Sequence, residues 1–548
     1  MSALRLHLVL FALAVLPATL GLWNEVQEVD PAQYADVAAR MLRSGDFLVP
    51  RDSFGPHLNK PPMMMWTQAL CMALFGQGSF AARLPALVFL LVAAWAVFRI
   101  GKLMHDARLG ALAACLFAAS AAFQLMAADP KVDTPLTAFT ALAIWAVLEA
   151  RTRPYFMWAA WVFAGFAVLS KGPLGVVLPV LALAPVVLRA DWSAEPRSLV
   201  QRLLALHPFR GLVIVGGLSA AFYLSVGLAN GGGAAFDLIW TQGFGRVLGQ
   251  TDWIGTTTPA FYLHTALWAF LPGSPLAVFG LGRRAWARWK KEPPRPALEA
   301  LPLYWLLLPM AVMSVPSYKL PQHIYCLAPA AALLAAQELM WLSQRAHPRF
   351  RLGWALIGLG GVGAAAATLV VIFPAGLPEL LGWSGALLLG LVLALVVARR
   401  FDAVEASAVY ALAATTGFFV FFHAAFQPAL LRYQPWDEAG AKIRALEPDG
   451  RTFIYVGEIW SFGCSFYAQR ECEWLLPPDL AARVKANEAQ HALVAEADLE
   501  KVRATGLSWD VLERWPLYPT STARPDFLRA STRAQTLRWV TLLRLRAP

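Results

Sequence analysis

The chain has 548 residues, of which 58% are hydrophobic and only 15% charged, with a mean hydropathy of +0.52. A soluble globular domain is about half apolar and about a quarter charged, so a soluble fold is excluded. The formal charge of +11 would point to nucleic acid in a soluble protein, but here it is parcelled into short loops between apolar runs, and no nucleic-acid partner is expected.

A helix that crosses the hydrocarbon core of a bilayer needs roughly 20 mostly apolar residues. Segments that meet this need lie near 4–22, 81–99, 109–128, 134–150, 155–170, 172–189, 211–229, 260–282, 301–316, 321–342, 352–374, 380–398 and 404–423. The composition therefore predicts an all-α polytopic membrane protein with about 13 transmembrane helices. The first segment lacks a small-x-small cleavage site and is followed closely by further spans, so it is expected to stay as a transmembrane helix rather than be removed as a signal peptide.

The basic residues gather in alternate loops. Arg99, Lys102 and Arg108 follow the second span, Arg189, Arg197, Arg202 and Arg210 the sixth, and Arg283, Arg284, Arg288, Lys290, Lys291 and Arg295 the eighth. Short loops rich in Lys and Arg stay cytoplasmic, which places the 23–80 loop and the C-terminal tail on the outer side.

That 23–80 loop is too patterned to be a connector. "PAQYADVAARMLRSGD" places Tyr34, Val37, Ala38, Met41 and Leu42 on one helical face, the pattern of a helix lying in the membrane interface. Pro61 and Pro62 suit the start of a second apolar helix, "PMMMWTQALCMALFG", expected to bed into the outer leaflet. The composition changes near residue 430. "RTFIYVGE" reads as a strand, while "IWSFGCSFYAQR", "PDLAARVKANEAQ" and "DLEKVRAT" read as helices, so residues 430–548 are expected to form a small α/β domain outside a 1–429 membrane domain.

Five cysteines make no disulfide framework, although a Cys464–Cys472 bridge is permitted in an external tail. Gly358, Gly360 and Gly363 match G-x-G-x-x-G formally, but they sit inside an apolar span, where close helix packing explains them. The chain has no Walker motif, no Cys/His metal spacing and no G-x-S-x-G elbow, so no cofactor is called for.

The informative residues are ionisable groups on the outer side, just beyond the ends of hydrophobic spans: Asp30, Lys60, Asp129, Lys131, Asp133, Lys171, Arg246 and Lys319. Charges so close to a membrane interior are costly and tend to mark sites. Asp30 and Asp133 each stand where a helix begins, so each has a plain alternative as a helix-capping carboxylate, and Asp129 and Lys131 an alternative as rim residues. Lys60 in "HLNKPP" and Lys319 in "SYKLPQH" are held by proline-stiffened turns, and a cation on such a tether suits a phosphate.

Taken in order, "VDPAQYADVAARMLRSGDFLVP", "HLNKPPMMMW", "DPKVDTPL", "LSKGPLGVVLP" and "SYKLPQHIYCLAPAAALL" resemble the bacterial lipid A aminoarabinose transferases and their protein O-mannosyltransferase-like relatives. The resemblance implies a GT-C fold in the inner membrane, with the N-terminus cytoplasmic and the active site and C-terminal domain periplasmic. It further implies a polyprenyl-phosphate sugar donor, a lipid or glycan acceptor, and an inverting transfer. On it, Asp30 and Asp133 take the catalytic acidic positions. Lys60, Arg246, Lys319, Tyr34 and Lys171 take positions around the lipid phosphate. The chain departs from the family pattern at Pro31, at Gln33, at Asn59 where the family has Glu, and at Gly243, where it has His. Loss of that Glu and His argues against a required metal. The rival readings are a multi-pass transporter or flippase for an anionic lipid-linked substrate, and an envelope assembly subunit.

Overall fold

The computed structural model describes residues 3–192, 198–245, 255–293, 295–343, 345, 403–447, 453–486, 490–522 and 524–546. The expected spans at 352–374 and 380–398, the Gly358–Gly363 motif and Arg246 lie outside the described residues. The other expected spans all fall on helical chain: α1 (Ala3–Leu20), α4 (Ser79–Met104), α5 (Ala107–Ala118) with α6 (Ala121–Ala128), α7 (Asp133–Glu149), α8 (Phe156–Lys171), α9 (Leu174–Val187) and helices further on.

Some expected single spans are interrupted. Ser120 caps α6 by accepting from the Phe123 N–H, and the α5–α6 pair bends by 52° there. The eighth is divided by Leu271–Pro272 into Phe261–Ala269 and Ser274–Trp289. Pro321 starts the tenth as a 3-10 turn, Pro321–Leu327, before the helix Ala328–Ser343. Among the described residues, 5 helical segments are long and apolar enough to cross a membrane, or 6 with the bent pair, and shorter apolar helices accompany them. The protein is a polytopic membrane protein. Its core joins α1, α4, α5 and α7 to the helices Ala297–Met313 and Ala328–Ser343 through close-packed alanines and leucines. By contrast, the helix Pro208–Asn230 leaves Phe209, Val213, Leu224 and Leu228 exposed, an outward face suited to lipid.

The 23–80 loop carries α2 (Asp30–Ser44) and α3 (Met63–Phe75). Pro31 in the first turn of α2 and Gly45 in the left-handed region at φ 73° delimit it, with the Gly45 N–H closing on the Met41 carbonyl. The expected apolar face is present, but it does not rest in lipid. Tyr34, Val37, Ala38 and Met41 are buried among α3 and the C-terminal helix Phe462–Ala468. The methionines likewise depart from expectation. Met64 and Met65 are fully buried against α2, and Met63 packs on Leu169 and Phe222, while Leu70, Leu74 and Phe75 are the large exposed side chains of α3. Protein-to-protein burial prevails because α3 lies beneath α2 and against α4.

The C-terminal region is a mixed five-stranded sheet of order β4-β3-β5-β7-β6, counting β1 (Arg51–Asp52) and β2 (Gly55–Pro56) as a separate ribbon. Strands β3 (Phe453–Val456), β4 (Cys472–Leu475) and β5 (His491–Ala495) run parallel, while β7 (Arg538–Arg546) is antiparallel to β5 and to β6 (Ser508–Leu517). The period-2 alternation sorts the side chains. Tyr455 and Leu493 face the helix Trp436–Leu446, whereas Ile454, Val456, Ala492 and Val494 face Pro477–Lys485. Cys464 and Cys472 are both buried as free thiols.

Candidate active site

The site is built where helix ends meet. Asp133 opens α7 and Lys171 closes α8, so each sits at the helix terminus whose dipole favours its charge. Lys171 Nζ lies 2.5 Å from Asp133 Oδ1, with the side chains only 12% and 5% exposed. The carboxylate of Asp133 is thus spent on a lysine of the next helix, and helix capping does not explain it. Gly172, at φ 61°, then turns the chain sharply into Pro173 and α9.

A cleft of about 790 Å³, mouth included, opens beside this pair. It is lined by Lys60, Lys171, Tyr262, Tyr318 and His323, among others. Lys60 is positioned by Pro61–Pro62 and the start of α3, and its Nζ lies 3.0 Å from the Asn59 carbonyl. Tyr262 Oη and His323 Nδ1 lie 3.2 Å apart, on the helix Phe261–Ala269 and the 3-10 turn respectively. Two cations and three groups able to donate hydrogen bonds therefore share one partly enclosed space, an arrangement complementary to a phosphate.

A second cluster surrounds Asp30. Its carboxylate is half-exposed and lies 4.0 Å from Lys131 Nζ, which also holds Asp129 at 2.7 Å. Burial works against the Lys131 charge, but the carboxylates of Asp129 and Asp30, with a smaller part from Asp133, outweigh it and raise its pKa. Lys131 therefore bridges Asp30 and Asp129. The loops that carry this cluster are tied by Arg83 of α4, which is fully buried. Its Nε donates to the Asn24 carbonyl at 2.9 Å, and its two terminal nitrogens donate to the carbonyls of Glu25 and Ala128.

The remaining candidates fall elsewhere. Lys319 is 4% exposed, and its Nζ reaches Thr257 O at 3.3 Å and Thr257 Oγ1 at 3.4 Å; burial lowers its pKa. Its neighbour Tyr318, rather than Lys319, is among the cleft-lining residues. Tyr34 is 2% exposed in the core under α2, with its ring edge-on to His57, so the structure gives it a packing place and not a place on the cleft. Arg246 lies outside the described residues, although Gly243 just before it lines the cleft. Sequence reasoning left out Tyr262 and His323. His323 follows Pro321 in the same "KLPQH" stretch as Lys319, so a 3-10 reading of that turn would have found it. Among the described residues, no three His, Cys, Asp or Glu side chains gather as metal ligands.

A helical membrane bundle with a phosphate-suited cleft and a C-terminal α/β region has the architecture of the GT-C fold. The chain superposes on ArnT from Cupriavidus metallidurans bound to undecaprenyl phosphate with a TM-score of 0.77, at 20% identity and over 98% of both chains. Residues 59–214 match the family profile for dolichyl-phosphate-mannose-protein mannosyltransferase. The undecaprenyl phosphate-alpha-4-amino-4-deoxy-L-arabinose arabinosyl transferase 1 of Pseudomonas fluorescens is 27% identical over 61% of this chain, and 56% of its own length is matched. The corresponding transferase of Pectobacterium carotovorum is 29% identical over 67% of this chain, with 65% of its own length matched. The chain is thus similar in sequence to these aminoarabinosyl transferases and, over residues 59–214, to the mannosyltransferase profile, and it shares the fold of the ArnT structure.

Proposed function

We propose that this chain is an integral-membrane glycosyltransferase that moves a sugar from undecaprenyl phosphate to a lipid or glycan acceptor on the periplasmic face of the inner membrane. The observation that carries this reading is the cleft in which Lys60 and Lys171 converge beside Asp133, within a fold shared with a protein whose structure holds undecaprenyl phosphate. In this reading the chain has about 13 spans, a cytoplasmic N-terminus and a periplasmic domain from about residue 430.

The chemistry follows from the charges. An acceptor oxygen attacks the anomeric carbon as the bond from that carbon to the phosphate oxygen breaks, and the polyprenyl phosphate leaves with the electron pair. Lys60 and Lys171 offset the charge that grows on the leaving phosphate in a partly desolvated cleft, commonly a large catalytic term. Asp133 positions Lys171. Asp30 orients the acceptor and takes its proton when the acceptor is a hydroxyl. A single displacement inverts the anomeric centre.

The test is turnover of radiolabelled undecaprenyl-phosphate sugar by the full-length protein in proteoliposomes, comparing wild type with Lys60→Ala and Lys171→Ala. Lys60→Ala should fold and lose transfer; Lys171→Ala should lose transfer too, but it strands the Asp133 carboxylate, so its loss is compared with that of the double variant Asp133→Ala/Lys171→Met. Transport of the intact lipid-linked sugar by wild type, without cleavage, would replace the enzymatic reading with the transporter one.

A further inference from the structure

A second cleft lies away from the lysine-lined one, between the 23–80 loop and the C-terminal sheet, with an open volume of about 1360 Å³ including its mouth. Its lining includes Glu28, Trp460, Tyr518, Arg524, Asp526 and Arg538. Trp460 is 47% exposed, yet its ring is fixed by edge contacts to Phe54 and Phe462 at 6.0 and 5.4 Å. Tyr518 is fixed as firmly. It stacks on Phe527 at 3.8 Å and 9°, and its hydroxyl accepts the Arg524 N–H at 3.1 Å. The cleft thus has rigid aromatic walls, which lose little rotamer freedom when a ligand binds.

Its polar groups are left over from folding. The guanidinium groups of Arg524 and Arg538 make no ion pair or hydrogen bond among the described residues, and neither does the Asp526 carboxylate. Glu28 uses one oxygen to accept from Ser461 Oγ and the Gly463 N–H, both at 2.6 Å, while its other oxygen is buried without a partner among the described residues. The two exposed arginines offer forked donors to an anion, the exposed Asp526 carboxylate accepts from hydroxyls, and aromatic faces suit the C–H face of a pyranose ring.

We infer that this cleft is a saccharide-binding site for a sugar bearing an anionic group, a phosphate or a carboxylate. Val29 lines the cleft too and is the neighbour of Asp30, so the ligand lies one residue from the group that orients the acceptor. Naming the ligand an acceptor rests on the glycosyltransferase reading; the binding itself does not.

The test is saturation-transfer NMR on the full-length protein in nanodiscs, titrated with glucose 1-phosphate, glucuronate and glucose, with inorganic phosphate as competitor. At least one of the two anionic sugars should bind at least tenfold more tightly than glucose, and which of them does identifies the source of the charge. The double variant Arg524→Ala/Arg538→Ala and the single variant Trp460→Ala should each weaken binding tenfold or more, while Lys60→Ala should leave it unchanged. Loss of binding in Lys60→Ala with retention in the arginine variant would assign the ligand to the other cleft and overturn the inference. So would absence of binding, insensitivity to Trp460→Ala, or inorganic phosphate competing as tightly as the sugars bind. A protein that binds the anionic sugar here but fails to turn over lipid-linked sugar would overturn only the enzymatic reading.

Discussion

Lys171 and Asp133 form a 2.5 Å ion pair between the end of α8 and the start of α7, in a setting that leaves both side chains largely out of water. Removing one partner of a buried pair strands the other charge, which costs about 3–5 kcal/mol. Asp133→Ala should therefore destabilise the protein strongly, and the double variant Asp133→Ala/Lys171→Met should recover much of that loss. Thermal unfolding in detergent reads both. Additive destabilisation would mean that the two side chains do not act as a unit.

Lys60 is partly exposed, so its removal should affect chemistry more than folding. Lys60→Ala is expected to lower kcat/KM for the lipid-linked donor by roughly 10²–10³, the range typical of a lost electrostatic contact to developing charge. The melting temperature should stay near wild type. Steady-state kinetics with purified donor check the first outcome and thermal unfolding the second.

Asp30 and Lys131 should fail together. Asp30→Asn should reduce transfer by about 10²–10⁴ if the acceptor gives up a proton, while binding of the donor stays intact. Lys131→Met removes the ion-pair partner of Asp30, and its effect should be smaller and confined to acceptor kinetics. Equal losses on donor binding in either variant would place Asp30 with the donor instead.

Glu28 supplies a pH dependence. Burial raises its pKa from 4.5 to about 7, although the Ser461 and Gly463 hydrogen bonds oppose the shift. The folded protein thus keeps a proton that the unfolded chain releases near pH 4.5. The stability linked to this proton is complete below that pH and falls as pH rises through about 7, by up to about 3 kcal/mol. Hydrogen-exchange protection in residues 24–30 and 459–464, corrected for the intrinsic pH dependence of amide exchange, should fall between about pH 5 and 7 in wild type. Glu28→Gln should remove that pH dependence.

The spans were legible because hydrophobic runs are local: from Ser79–Met104 to Ala403–Phe421, each described helix of the bundle answers to an apolar stretch that can be seen without knowing its neighbours. The acidic and basic site positions were legible for the same reason, being charges at the ends of such stretches. Their partners were not. Asp133 and Lys171 are 38 residues apart, and only the antiparallel packing of α7 on α8 decides that they meet. The face of α2 was readable, but what covers it was not, because an apolar stripe looks the same whether lipid, α3 or Phe462–Ala468 lies against it. Similarly, the strand "FIYV" is evident from its residues, whereas its central place in the order β4-β3-β5-β7-β6 depends on pairings with strands that follow it.

Arg83 was legible to neither kind of reading, since an arginine near the start of a span looks like an ordinary rim charge. Its planar head binds carbonyls on two separate segments, at Asn24 and Glu25 on the outer loop and at Ala128, the last residue of α6. Five residues beyond Glu25 comes Asp30, and one residue beyond Ala128 comes Asp129. The spacing of the acidic groups is therefore inherited from a side chain that touches neither of them. Drift in that spacing, across variants or temperatures, should move both segments in step, so that the acceptor side of the reaction is calibrated by a rigid guanidinium gauge set into the bundle wall.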